Sequence, residues 1–193
     1  TAADESRETL DALALKLPEA AFLHDAAGKR LSGNGGKLQF LNPLHPSVKA
    51  AIATLPAEAV ANQWSGLYLT NVLLRLDEYK LGELGVKEFA DDASFRAAWM
   101  AILTPLIADA HARKLAVGLE IVGMANRPEI VDELAALGVE YLAEPHLRYA
   151  WDWFRNGEAQ LAMLDRVTQA QQRRRAAGQS VPTLLLSSDG TKD

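Results

Sequence analysis

The sequence predicts an α/β protein built on a parallel β-sheet, and two observations lead to this class. From Leu67 onward, short apolar segments alternate with longer segments of helical periodicity, which is typical of βα units joined by right-handed crossovers. The last three apolar segments are almost continuously hydrophobic, as expected of parallel strands covered on both faces. No linker-like stretch interrupts the chain, so we expect one domain over residues 1–193.

The amino-terminal part predicts two helices and two short strands. Residues 4–17 have the apolar spacing of an amphipathic helix, with acidic residues in its first turn. Two short apolar stretches, 20–25 and 37–43, flank a glycine-rich turn and form either a hairpin or a long βα loop. Pro46 starts a helix over 46–55.

The rest of the chain predicts alternating strands and helices. Strands are expected at 65–74, 116–123, 139–145 and 182–190, and helices at 92–115, 127–138 and 156–178. Pro105 lies inside the first of these helices and is expected to kink it. Trp64 and Trp99 are expected in the core, because tryptophans are usually largely buried.

Polar residues follow the predicted strands, and they favour one parallel architecture over the other. They include Asn71, Asn126, Glu144 and Asp189. Such residues gather where a (β/α) barrel builds its site, although Asn126 and Asp189 would equally serve as helix caps. An open doubly wound sheet often carries a glycine-rich phosphate turn between strand and helix, which is absent here. We therefore predict a parallel barrel, with the open doubly wound sheet as the alternative.

Composition excludes several classes of function. The net charge of −5 argues against a nucleic-acid surface. The absence of cysteine excludes disulfides, thiol nucleophiles and zinc–thiolate sites. No apolar run approaches the roughly 20 residues of a membrane span. The chain starts at Thr1 without a signal-like segment, so a processed or trimmed product is expected.

Several segments resemble bacterial glycoside hydrolases with (β/α)8 barrels, including the polygalactosaminidase-like families and their uncharacterised relatives. The similar segments are 20–55, 65–79, 106–123 and 137–153, which together cover most of the chain. The resemblance implies a barrel that acts on a bacterial polysaccharide or oligosaccharide. It also favours a secreted or periplasmic location.

Two features depart from this family's pattern. In this family the strand that corresponds to residues 65–70 has an acidic residue at each end, whereas this sequence has Ser65 and Thr70 at those positions. A complete barrel takes about 250 residues, more than this chain offers. We therefore expect an incomplete or trimmed barrel, or one whose sheet is completed by a missing segment or a second chain.

Glycoside hydrolysis needs two carboxyl groups, one that protonates the leaving oxygen and one that acts as base or nucleophile. Glu144 and Glu120 are the best candidates, because they are expected on adjacent strands, and Asp189 is the third. Glu120 lies within its strand, and if it points inward it needs a partner, because an unpaired buried charge is costly. No spacing of acidic and histidine residues suits a metal, and we predict no metal and no cofactor.

The candidate substrate-binding residues are mostly polar or aromatic. They are Asn71, Asn126, His146, Arg148, Tyr149, Trp151 and Trp153. If residues 149–153 are extended, the three aromatic residues share one side and form a platform for sugar rings. If not, the tryptophans pack between helix and sheet.

The sequence thus supports a glycoside-hydrolase-like protein with a carbohydrate ligand. The alternative is a catalytically inactive domain on the same fold, which binds carbohydrate or a partner chain.

Overall fold

The computed structural model describes residues 16–33, 38–76, 81–122, 124, 129–143, 150–179 and 183–185. The described strands are β1 (Ser32–Gly33), β2 (Leu38–Gln39), β3 (Gly66–Leu73), β4 (Ala116–Val122), β5 (Tyr141–Ala143) and β6 (Thr183–Leu185). The described α-helices are α1 (Pro46–Ala61), α2 (Leu81–Leu84), α3 (Asp92–Ala112), α4 (Glu129–Ala136) and α5 (Ala150–Ala176). The helices predicted around Pro46, Pro105 and Pro128 therefore have counterparts in α1, α3 and α4.

The chain divides into two compact units. One comprises Thr1–Leu55 and Arg75–Leu103, and the other comprises Pro56–Leu74 and Thr104–Asp193. Each unit holds one of the two described sheets.

The first unit is built on antiparallel pairings close to its amino-terminal end. Strands β1 and β2 pair antiparallel, and a further antiparallel bridge joins Phe22 to Leu41. The amide of Leu23 donates to the carbonyl of Phe40 over 2.8 Å. The two short apolar stretches thus pair antiparallel, as in the hairpin alternative, but the residues between them also pair with both stretches.

The second unit is built on a four-stranded parallel sheet in the order β3-β4-β5-β6. Strand β4 is central, and Val117 to Val122 are all buried. Helix α4 joins β4 to β5 and buries Ile130, Val131 and Leu134. Gly138 ends this helical segment with a φ of 90°, a left-handed conformation that favours glycine at the end of a helix.

The predicted barrel is wrong. The described strands form an open sheet with β3 and β6 at its edges, and among them no pairing closes the sheet. The two short strands β1 and β2 form a separate antiparallel pair in the first unit and add no strand to the parallel sheet. Of the alternative, the open parallel sheet is found, but the described strands follow chain order and do not show the reversal of strand order that defines a doubly wound sheet.

Trp64 also departs from the prediction. It was expected in the core, yet 48% of its surface is exposed, and its amide donates to the carbonyl of Ala59 after the end of α1. Trp99 is half-buried and packs edge-on against Phe95, with the ring centroids 6.5 Å apart. Position in an element, and not residue type alone, decided the burial of these two side chains.

Candidate functional site on the parallel sheet

Glu120 lies near the carboxyl end of the central strand β4 and is only 3% exposed. Among the described residues it is the one charged residue in the buried class. A buried carboxylate is costly unless it is hydrogen-bonded. Glu120 therefore needs a hydrogen-bond partner, and the neighbouring strand supplies one.

That partner is the backbone amide of Asn71, which donates to Glu120 Oε1 over 3.4 Å. Strand β3 carries a bulge here: Leu69 pairs with Leu119 and Val72 with Ile121, so three steps on β3 match two on β4. Asn71 adopts a φ of 54°, which asparagine tolerates better than most residues. A bulge leaves an amide outside the strand ladder, and the Glu120 carboxylate accepts it. Two predicted site residues are thereby in contact.

The end of β5 lies beside Glu120. Ala143 is the register partner of Glu120 in the parallel pair β4–β5, and Glu144 is the next residue in the sequence. The strand that carries Glu120 therefore neighbours β5, which ends one residue before Glu144 in the sequence.

Most of the other candidate residues lie outside the described part of the chain. They are Asn126, Glu144, His146, Arg148, Tyr149 and Asp189. The backbone of Trp151 and Trp153 belongs to helix α5. Residues two apart on a helix face different directions, so the extended segment required for the proposed three-residue platform is not present at these two positions.

A row of residues that the sequence analysis missed crosses the parallel sheet. Tyr68, Gly118, Tyr141 and Thr183 are successive register partners on the four strands. Tyr68 is 47% exposed and Tyr141 is 41% exposed, and Thr183 is exposed too. Register partners in a parallel sheet point to the same face, so the two tyrosines share one face. We refer to these four residues as the tyrosine row.

Gly118 shapes this row. A Cβ atom at Gly118 would lie 2.5 Å from Cδ2 of Tyr68 and 3.3 Å from Cβ of Tyr141. The Tyr68 ring therefore occupies the space that a side chain of β4 would fill. The sequence contained a weak indication of this row. Tyr68, Gly118 and Tyr141 each interrupt an otherwise apolar predicted strand. Because these strands are almost continuously hydrophobic, the alternation of buried and exposed positions was not visible.

A second carboxylate on this sheet also accepts a strand amide. Glu140 Oε2 accepts the amide of Val117 over 2.8 Å, and His111 Nε2 lies 3.1 Å from Glu140 Oε1. This group lies at the amino end of the sheet, where Glu140 directly precedes Tyr141 of the tyrosine row. We assign it a structural role, since it joins the end of α3 to the segment that leads into β5.

In the first unit, four charged or titratable residues form a chain of contacts. Glu19 binds the guanidinium of Arg30 through Nε at 2.8 Å and through a second nitrogen. His24 Nε2 lies 3.2 Å from Glu19 Oε1, and His24 Nδ1 lies 2.8 Å from Glu88 Oε1. The hydrogen bonds from Arg30, and to a smaller extent from His24, lower the pKa of Glu19 to about 2. The guanidinium of Arg30 also stacks over Phe22 at 3.7 Å.

The described residues contain no group of three or more histidine, aspartate or glutamate side chains arranged to hold a metal ion. None of the described helices combines the length and the hydrophobicity needed to cross a bilayer.

Comparison with protein-family models, with curated proteins and with solved structures finds no match to this chain.

Proposed function

We propose that this protein hydrolyses a carbohydrate with Glu120 and Glu144 as its paired carboxylates. The observation that supports the pairing is the register between Glu120 and Ala143, because Ala143 precedes Glu144 in the sequence. Glu120 lies in the carboxyl-end half of β4, and the carboxyl ends of parallel strands are where such folds build their sites. The resemblance of segments 65–79, 106–123 and 137–153 to glycoside hydrolases supports the same reaction class.

In this proposal one carboxyl group protonates the leaving glycosidic oxygen, and the other acts as base or nucleophile. The amide of Asn71 holds Oε1 of Glu120 in place, which orients the carboxylate before substrate binds. The reaction consumes one water molecule and yields a new reducing end.

The test replaces each carboxylate by its amide and measures reducing ends released from xylan, mixed-linkage β-glucan, galactomannan and a galactosaminoglycan. We expect Glu120→Gln and Glu144→Gln each to lower the rate at least about a hundredfold, the range for losing a positioned acid or base. Wild-type-like turnover in Glu144→Gln would show that this pair does not carry the reaction.

Glu140→Gln is a matched control for Glu120→Gln. Both glutamates accept a backbone amide from a neighbouring strand of the same sheet, but Glu140 lies at the amino end. We expect Glu140→Gln to lower the Tm while it leaves turnover unchanged. If Glu120→Gln lowers the Tm as Glu140→Gln does and keeps its activity, then Glu120 only stabilises the bulge.

The second candidate function is carbohydrate binding without hydrolysis. It is favoured by Ser65 and Thr70, which stand where the resembled hydrolases have acids. Thr70 is exposed and lies in the bulge opposite Glu120. A polysaccharide that binds to the wild-type protein without any release of reducing ends would support this function over hydrolysis.

A further inference from the structure

We propose that the tyrosine row (Tyr68, Gly118, Tyr141 and Thr183) is a second carbohydrate subsite, on which a neutral sugar chain stacks. This inference rests on the proposed function in one respect, since both assign a carbohydrate ligand. It concerns different residues from the carboxylates, and its binding test can succeed or fail independently of catalysis.

The spacing of the row suits an extended ligand. Neighbouring strands lie about 4.8 Å apart, so the backbones of Tyr68 and Tyr141, which are separated by β4, lie about 10 Å apart. The Tyr68 ring leans over Gly118 towards Tyr141 and narrows the gap between the two side chains. The two tyrosines therefore flank Gly118 on one face of the sheet, with no side chain of β4 between them at this level.

The chemistry of the row favours a neutral sugar over other ligands. A tyrosine ring presents a large apolar face together with a hydroxyl group that hydrogen-bonds, and a pyranose ring has the complementary combination of C–H face and equatorial hydroxyls. Thr183 adds another hydroxyl at the far end of the row. The row contains no basic residue, and the chain as a whole has a net charge of −5. An anionic polysaccharide would therefore find no positive charge in the row and would be repelled by the net charge of the protein.

The row also has a defined relation to Glu120. Gly118 and Glu120 are two residues apart on β4, so they belong to the same face of the sheet, about 6–7 Å apart along the strand. A sugar chain bound to the row would lie next to the part of the sheet that holds Glu120. The row would then bind sugar rings that neighbour the ring whose glycosidic bond is cleaved.

The experiment measures the retardation of the full chain in native gels that contain xylan, mixed-linkage β-glucan, galactomannan or polygalacturonate. We expect at least one of the three neutral polysaccharides to retard the wild-type protein, and polygalacturonate not to. Tyr68→Ala and Tyr141→Ala should each weaken the retarding affinity at least tenfold. Leu161→Ala is the control, because Leu161 is 59% exposed on α5 and its loss should leave retardation unchanged.

Gly118→Ala tests the geometry and retains both aromatic side chains. The added methyl group would lie 2.5 Å from the Tyr68 ring, so the ring must move off β4 and affinity should fall as in Tyr68→Ala. If the variant fails to fold, Tyr68→Ala/Gly118→Ala removes the clash, and this double variant should fold but remain without affinity.

The outcomes separate the subsite from the catalytic proposal. Glu120→Gln should keep full retardation while it loses hydrolysis. A wild-type protein that is retarded but releases no reducing ends would sustain the row and reject the carboxylate pair. Unchanged affinity in Tyr68→Ala and Tyr141→Ala, or no retardation by any neutral polysaccharide, would reject the row. The other possible occupant of this face is a second copy of the chain, which light scattering would detect. A wild-type dimer that Tyr68→Ala converts to a monomer would show that a second copy covers this face and would overturn the proposal.

Discussion

Glu19 shows how strongly an exposed residue can depend on its partners. Its side chain is 61% exposed, yet the hydrogen bonds from Arg30, followed by those from His24, lower its pKa from 4.5 to about 2. A carboxyl group whose pKa is lower in the folded than in the unfolded chain stabilises the fold above the unfolded value. This contribution is lost as the pH falls through the folded value.

We therefore expect Glu19→Gln to lower the Tm at pH 6, and the difference from wild type to shrink as the pH falls from about 4.5 to 2. Thermal unfolding at low ionic strength measures it, because salt screens exposed pairs. Glu83→Gln, which removes an exposed charge from α2 of the same unit, is the control. A Tm difference that stays constant down to pH 2 would contradict the assignment of the stabilisation to the Glu19 carboxylate.

At the scale of single residues, the sequence identified Glu120 and Asn71 but not the contact between them. The contact depends on a bulge, and nothing in the segment that contains Thr70 and Asn71 distinguishes a bulge from regular alternation. Trp64 was misassigned for a related reason: its size predicts burial, but it lies between the end of α1 and the start of β3, where a side chain need not face the core.

Among the elements, helix α3 has the clearest start. Asp91 precedes it, and Asp91 Oδ1 accepts the amide of Ser94 over 2.8 Å while Ser94 Oγ donates to the Asp91 carbonyl over 2.9 Å. The hydrogen bonds that the Asp91 carboxylate accepts, first of all from the amide of Ser94, lower the pKa of Asp91. The arrangement satisfies amides that have no partner within the first turn of a helix.

We expect Asp91→Ala to lower the Tm by a few degrees, because the first turn of α3 loses its cap. Asp91→Asn should retain most of the stability, since asparagine caps helices about as well as aspartate. Asp109→Ala, which removes the exposed pair with Arg113 near the other end of α3, should have a smaller effect. Equal losses in Asp91→Ala and Asp91→Asn would show that charge, and not capping geometry, stabilises this helix end.

Helices and parallel strands were predictable as elements because each depends on a local pattern. Proline near the helix starts, Gly138 after α4 and the apolar run of β4 all act within a few residues. The antiparallel contacts of the first unit were less predictable, because β1 and β2 are only two residues long each and segment 20–25 forms bridges in place of a strand.

At the scale of the whole molecule, the alternation of strands and helices did not determine how many strands share one sheet. The sequence predicted a barrel because polar residues follow each strand, but the same residues suit any sheet whose strands run parallel. Closure depends on the number of strands and on the pairing of the two edges, which are long-range properties. The two short strands pair with each other, and the parallel sheet ends at β3 and β6 among the described residues.

The open sheet makes β4 the strand on which the second unit most depends. Leu119 lies at its centre, is 0% exposed, and pairs with Leu69 on one side and Leu142 on the other. We expect Leu119→Ala to lower the free energy of unfolding by about 2–5 kcal/mol, the range for a buried leucine replaced by alanine. Urea denaturation measures this change, with Leu161→Ala on exposed surface expected to stay within about 0.5 kcal/mol of wild type. A loss below about 1 kcal/mol in Leu119→Ala would mean that β4 is not the buried centre of the sheet. Such a result would also count against the Glu120 site and the tyrosine row, because both depend on the central position of β4.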